Sequence, residues 1–196
     1  MSGSRDELEL KARVDDPTAL EAALARAGAE LTFRGEMLDR RYDRDGALEA
    51  RDEVLRLRTY RPADGRPAYG VLAWKGPVSV RAGYKHRAEH ETTLADPAAA
   101  LAILERLGYE VVMRIDRTIA EYRLAGGGGA AVRVEWYPAM DVLVEIEGEP
   151  AAIERAAAAT GLARESFLPE SLPHFVTAYE RRTGRRARLA AAPVSP

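Results

Sequence analysis

The sequence predicts an α+β fold, a closed sheet of about eight strands with a charged interior, flanked by at least four helices. Three observations carry this reading. Charged residues occupy every second position of Glu7-Leu8-Glu9-Leu10-Lys11, and the rhythm returns at Arg56/Arg58, Arg87/Glu89/Glu91, Arg133/Glu135 and Glu145/Glu147. Side chains alternate between the faces of a strand, so each set projects from one side, ~7 Å from one member to the next. Leu8, Leu10, Ala12, Leu55, Leu57, Val134, Val144 and Ile146 fall on the opposite face, which places an apolar layer between the sheet and its helices. Finally, the helical stretches share one punctuation, a proline at the start and a glycine just past the end.

Taken in order, Glu7–Val14 reads as the first strand, and Asp16-Pro17 then opens a helix that stops at Gly28. Met37–Asp43, Val54–Tyr60 and Tyr69–Lys75 read as extended, with Pro62-Ala63-Asp64-Gly65 turning the chain between the last two. Arg87–Leu94 is followed by Asp96-Pro97, which opens a second helix ending at Gly108. Arg114–Leu124 and Ala131–Trp136 are strands joined through Gly126–Gly129. The last strand, Asp141–Gly148, leads into a helix opened by Pro150 and stopped by Gly161. In all three helices eleven positions separate proline from glycine, and the first two strand–helix units match at an offset of 80, pairing Leu24 with Leu104 and Arg26 with Arg106. Asp16 and Asp96 are natural N-caps; Glu149 is a poorer one. A final helix spans roughly Leu172 to Thr183. One domain is expected over residues 1–184, followed by a basic, then alanine- and proline-rich, disordered tail over 185–196.

Composition narrows the function classes. A chain that is 46% hydrophobic and 31% charged is globular rather than disordered. A net charge of −2 gives no nucleic-acid-seeking excess, so any anion site must come from local clustering. The absence of cysteine excludes disulfides, thiolate metal sites and a cysteine nucleophile. No run is long and apolar enough for a membrane span or the core of a signal peptide. The expectation is a cytoplasmic protein with no nucleic-acid or membrane partner.

Any one alternating strand is more often a solvated, salt-bridged face. Such faces usually mix serine, threonine, glutamine and asparagine, whereas these are nearly pure Glu, Arg and Lys, repeated over five strands. A charged interior must hold something charged, because unpaired buried charge is very costly. Carboxylates bind hard cations and Arg/Lys bind phosphate, so the pair points to a metal–polyphosphate complex. The other motifs are weaker. His86 and His90 lie on the face opposite Arg87 and Glu89, and with His174 they make no metal site. Gly126–Gly129 lacks the Gly-Lys-Ser/Thr ending of a phosphate loop and precedes a strand, so a hairpin turn is the better account. The arginines from Arg181 to Arg188 read as a soluble helix end.

The ordered set of these motifs resembles the CYTH superfamily, the triphosphate tunnel metalloenzymes, from Glu7 to about Thr183. The signature Glu-x-Glu-x-Lys is Glu7, Glu9 and Lys11. Asp39-Arg40-Arg41-Tyr42-Asp43 is similar to the family's Asp/Tyr/Asp strand, followed by Leu55-Arg56-Leu57-Arg58, Trp74-Lys75-Gly76-Pro77 and Arg87-Ala88-Glu89-His90-Glu91. Arg114 and Arg117 stand where the family carries a basic pair, and Val142 to Glu147 matches the late Glu-x-Glu strand. Glu135 replaces the usual aspartate, Ala139–Leu143 replaces the expected Leu-Gly-Phe, and the C-terminal Ser-Tyr signature survives only in part at Ser171 to Phe175.

The resemblance implies an eight-stranded antiparallel β-barrel with a triphosphate compound threaded through it. Glu7, Glu9, Glu135, Glu145 and Glu147 would hold Mg²⁺ or Mn²⁺, with Glu89 and Glu91 as further candidates. Lys11, Arg56, Arg58, Lys75, Arg87, Arg114 and Arg117 would bind the phosphates, and Lys11 with Tyr42 would be catalytic. It implies a metal-dependent triphosphatase first and a class IV adenylyl cyclase second, with a homodimer plausible for the family. A non-catalytic polyphosphate-binding module and a plain barrel with internally paired charges stand as the other readings.

Overall fold

In the computed structural model, residues 5–124 and 129–191 are described. The chain runs β1 (Arg5–Val14), α1 (Pro17–Arg26), β2 (Ala29–Asp43), β3 (Val54–Pro62), β4 (Tyr69–Lys75), β5 (Ser79–Arg81), β6 (Tyr84–Leu94), α2 (Pro97–Arg106), β7 (Glu110–Leu124), β8 (Ala131–Trp136), β9 (Val142–Glu147), α3 (Pro150–Thr160) and α4 (Leu172–Thr183). The strands join antiparallel in the order β1-β9-β8-β7-β2-β3-β4-β6, and a β1–β6 pairing closes the ring. Eight strands form the barrel, and β5 hangs on β6 outside it.

The helix punctuation acts as expected. The Asp16 and Asp96 carboxylates accept from the backbone N–H groups of Ala19 and Ala99, each at 2.9 Å, while Glu149 makes no capping bond. Gly161 takes the left-handed conformation (φ 77°) that ends α3 at little cost. Outside the barrel, Leu10, Ala12, Val144 and Ile146 meet Leu20 and Leu24 of α1 and Ile153 and Ala156 of α3. Leu57 and its half-buried neighbours Leu55 and Leu72 pack beneath Leu104 of α2.

Two features differ from the sequence reading. The apolar core is not confined to the layer under the helices. Phe33, Met37, Tyr60 and Ile119 share strand parity with the inward charges and form an apolar group inside the barrel, with Tyr60 stacked on Tyr69. Inward Ile115 and Leu143 pack instead against Leu172 and Phe175 of α4, so that helix covers part of the interior. The tail is the other correction. Residues 185–191 are docked rather than disordered: Arg188 and Ala139 exchange backbone hydrogen bonds, and Asp116 N–H donates to the Leu189 carbonyl at 2.7 Å. Residues 192–196 lie outside the described residues, as do 125–128, which hold most of the glycine turn.

Gly35 lets β2 and β3 close up. A Cβ there would sit 2.2 Å from the Arg61 carbonyl oxygen, and backbone cannot move aside as a side chain can. Gly35→Ala is expected to lower stability by about 2 kcal/mol, read as the urea unfolding midpoint.

Candidate functional site

Strand parity decides what enters the barrel. On β1, Glu9 and Lys11 are buried inward beside the apolar outward residues Leu10 and Ala12. Arg56 and Arg58 of β3, Lys75 of β4, Arg87 and Glu89 of β6, Arg117 of β7, Arg133 and Glu135 of β8 and Glu145 of β9 are all buried on the same inner face. All of these but Glu89, Arg133 and Glu135 line a cavity of about 230 Å³ with eight cations and four carboxylates on its walls, so its lining is cationic by four charges. The first turn of α4, from Ser171 to Pro173, forms part of the wall.

Ion pairs hold the interior in register. Lys11 bonds Glu145, which also accepts from Arg133 at 2.8 Å. Asp39 accepts from Arg58 at 3.2 Å and Arg117 at 3.3 Å, and Arg117 also reaches Glu135 at 3.2 Å. Glu89 sits between Arg56 and Lys75, 3.1 Å from each. Burial alone would push the Glu145 carboxyl up, but Lys11 and Arg133 win and hold it well below the usual range. Asp39 behaves likewise beneath Arg58, Arg56 and Arg117. Burial works against the charge of Lys11, yet Glu145, Glu9 and Glu135 raise its pKa above the ordinary lysine value. These groups are charged at neutral pH, and phosphate oxygens would find cations already formed and oriented.

Two expected site residues lie elsewhere. Arg114 is exposed and points outward, since three positions from Arg117 is an odd step along a strand. It does not line the cavity. Tyr42 is one residue from inward Arg41 and therefore faces out, packed with Leu57 and Leu104 under α2. It is not beside Lys11, so the expected pairing with Lys11 is corrected. The inward tyrosine near Lys11 is Tyr137, whose hydroxyl donates to Glu135 and accepts from Arg117 at 3.1 Å. Burial and the Glu135 carboxylate raise its pKa, so at neutral pH it is a donor and not a base. Lys85 and Arg41, unassigned by sequence reasoning, also line the cavity. Their signal was there, two residues before Arg87 and two after Asp39.

The carboxylates proposed for a metal are dispersed among these pairs. Glu9 faces Glu147 directly across β1 and β9, and Glu145 faces Lys11 one step on. Glu7 stands opposite Arg87 in the β1–β6 register, and its side chain lies outside those described. Among the described residues, no three acids converge closely enough to hold an ion. Glu9 and Glu147, opposed across a strand pair, fit a hard divalent cation in donor type. Glu135 is fully buried, bonded to Arg117 and Tyr137, and Glu91, opposite Ala73 in the β4–β6 register, is exposed.

A closed antiparallel barrel whose inward face carries clustered basic and acidic side chains defines a class of charged-cavity proteins. The CYTH domain model matches residues 5–168, and the chain belongs to that family. Solved structures are similar across nearly their whole length. A candidate adenylate cyclase from Vibrio parahaemolyticus has a TM-score of 0.72 at 20% identity, covering 89% of this chain and 99% of that one. The PH1819 protein of Pyrococcus horikoshii has a TM-score of 0.67 at 22% identity, covering 91% and 99%. A Hippeastrum protein, described as a candidate adenylyl cyclase with a dominant triphosphatase activity, has a TM-score of 0.63 at 19% identity, covering 93% and 98%. No curated protein matches the chain. Among the described residues, no helix is long and apolar enough to cross a membrane.

Proposed function

We propose that this protein hydrolyses a triphosphate compound held inside the barrel, with Mg²⁺ or Mn²⁺ as cofactor. The observation that carries the reading is the cavity wall, where eight cations outnumber four carboxylates inside a closed barrel. Lys11, Arg56, Arg58, Lys75, Arg87 and Arg117 would neutralise the phosphate chain, the arginines gripping oxygens two at a time. The wall carries four more cations than carboxylates, and that excess would meet the charge of the entering phosphates while the ion pairs stay in place. Phosphoryl transfer needs mainly positioning and charge stabilisation. Water oxygen bonds to the terminal phosphorus and gives up a proton to a phosphate oxygen, the bridging P–O bond breaks with its electron pair kept by the shortened chain, and orthophosphate and that chain leave. The protonated Tyr137 helps orient Arg117 and Glu135 beneath the chain. Glu9 and Glu147, with Glu7 of the same strand, would hold the divalent ion, which supplies Lewis-acid neutralisation of the phosphates when bound.

Adenylyl cyclase activity is the second reading. A cavity of about 590 Å³ adjoins the first at Arg41, Asp52 and Val54, with room for more of a substrate than its phosphates. Phosphorus NMR of the protein with Mg²⁺ and either inorganic triphosphate or ATP separates the readings. Growth of orthophosphate, abolished by a chelator, is expected. Pyrophosphate with cyclic AMP would replace hydrolysis by cyclisation, and unchanged spectra in both tubes would overturn catalysis.

A further inference from the structure

Six cations of the cavity wall, Lys11, Arg56, Arg58, Lys75, Lys85 and Arg117, pair with carboxylates carried on barrel strands. Among the described residues, Arg87 is held from the loops instead. Its Nε–H donates to the Gly76 carbonyl just past β4, and Nη2 donates to both the carbonyl and the carboxylate of Asp52 just ahead of β3. These bonds occupy one side of the guanidinium. Nη1 makes no bond among the described residues and keeps two N–H groups for a ligand in the cavity that Arg87 lines.

Asp52 is fitted to this task by its backbone. It follows the 3₁₀ turn Glu49–Arg51 in the left-handed conformation (φ 52°, ψ 37°), which aspartate tolerates better than most side chains. That turn is itself fixed, because the buried Asp43 carboxylate accepts from the N–H groups of Arg44, Leu48 and Glu49 at 2.7, 3.0 and 2.9 Å. The second Asp52 oxygen accepts from the Val78 N–H at 2.6 Å, so one carboxylate ties the chain after β4 to the guanidinium.

Charge alone does not account for an acid at this place. Asp52 lines the cationic cavity, where a carboxylate repels phosphate. Its side chain is 58% exposed, so water and salt screen that repulsion and also its attraction to Arg87. What survives screening is direction. An arginine side chain has many rotamers, and fixing it before the ligand arrives removes that entropy cost from binding.

We propose that Asp52 is a positioning residue, which orients Arg87 so that Nη1 meets a phosphate oxygen and which acts on the ligand only through that guanidinium. This rests on the triphosphate reading above and adds to its site a residue that touches no phosphate.

The test is a double-mutant cycle, read by calorimetric titration with inorganic triphosphate at fixed salt and without metal. Arg87→Ala should weaken binding about 10–100-fold. Asp52→Gly keeps the left-handed backbone and the main-chain carbonyl, loses the carboxylate, and should weaken binding about tenfold. In the Arg87→Ala background, Asp52→Gly should change affinity by less than about twofold. The unfolding midpoint of Asp52→Gly should match the parent's, because glycine is at ease at positive φ. Unchanged or tighter binding in Asp52→Gly would mean that the carboxylate orients nothing a phosphate needs. A full second loss in the double variant would mean that it acts without Arg87, and a lowered midpoint would place its role in the fold. Each of these, or parent-like binding in Arg87→Ala, would overturn the inference and leave the triphosphate reading standing. Failure of the parent to bind triphosphate would overturn both.

Discussion

Glu145→Gln is expected to lower the stability of the empty barrel by about 3–5 kcal/mol, the cost of breaking a buried ion pair from one side. Glu145 is the anion shared by Lys11 and Arg133, and without it two buried cations face one another. Urea unfolding at pH 7 measures the loss. Inorganic triphosphate, added at about a hundred times its dissociation constant, should return ~2.7 kcal/mol because it binds only the folded state. The pH dependence has a definite sign. Glu145 and Asp39 are held below their unfolded values, so their contribution is complete above about pH 4.5 and is lost as pH falls through the folded values. The parent should therefore weaken in acid more steeply than Glu145→Gln does. An unchanged midpoint in the variant would mean that Glu145 is not the keystone of the interior.

Arg56→Ala should weaken binding of inorganic triphosphate about 10–100-fold with little loss of fold. A charge-assisted contact is worth about 1.5–3 kcal/mol, and the guanidinium can grip two oxygens. Its single carboxylate partner, Glu89, keeps Lys75 at 3.1 Å after the change, so no buried anion is stranded. That separates it from Arg117→Ala, which would strip a partner from both Asp39 and Glu135 and confound binding with stability. Calorimetric titration of Arg56→Ala checks the cradle directly. Parent-like affinity would mean that the phosphates do not lie against β3.

Much of the site was legible because a strand has a strict two-residue period. Lys11, Arg56, Arg58, Lys75, Arg87 and Glu145 share an inward parity, and closure of the sheet turns that shared parity into one cavity. The same rule corrects the two misplaced residues. Arg114 and Arg117 are three apart, and Tyr42 follows inward Arg41 directly, so neither pair can share a face. Motif resemblance had outweighed parity there. The inner apolar group was hidden for another reason, since Phe33, Tyr60 and Tyr69 come from three strands and meet only through the register. The first half of β2 has a register shift between Leu31 and Phe33 and a glycine at 35, which blur its alternation. β5 spans only three residues, too few for any period to appear. Docking of residues 185–191 depends on backbone bonds to Asp116 and Ala139, and local composition carries no trace of these.

The most direct test of the central claim is the thermal unfolding of the metal-free protein with inorganic triphosphate, and separately with an equal concentration of sulfate, over a range of salt. A polyanion seated among paired cations should raise the midpoint by several degrees in a salt-sensitive way, and sulfate should do far less. Equal shifts with both anions, or none with triphosphate, would contradict the account and leave the charged interior as a set of ion pairs that supports only the barrel.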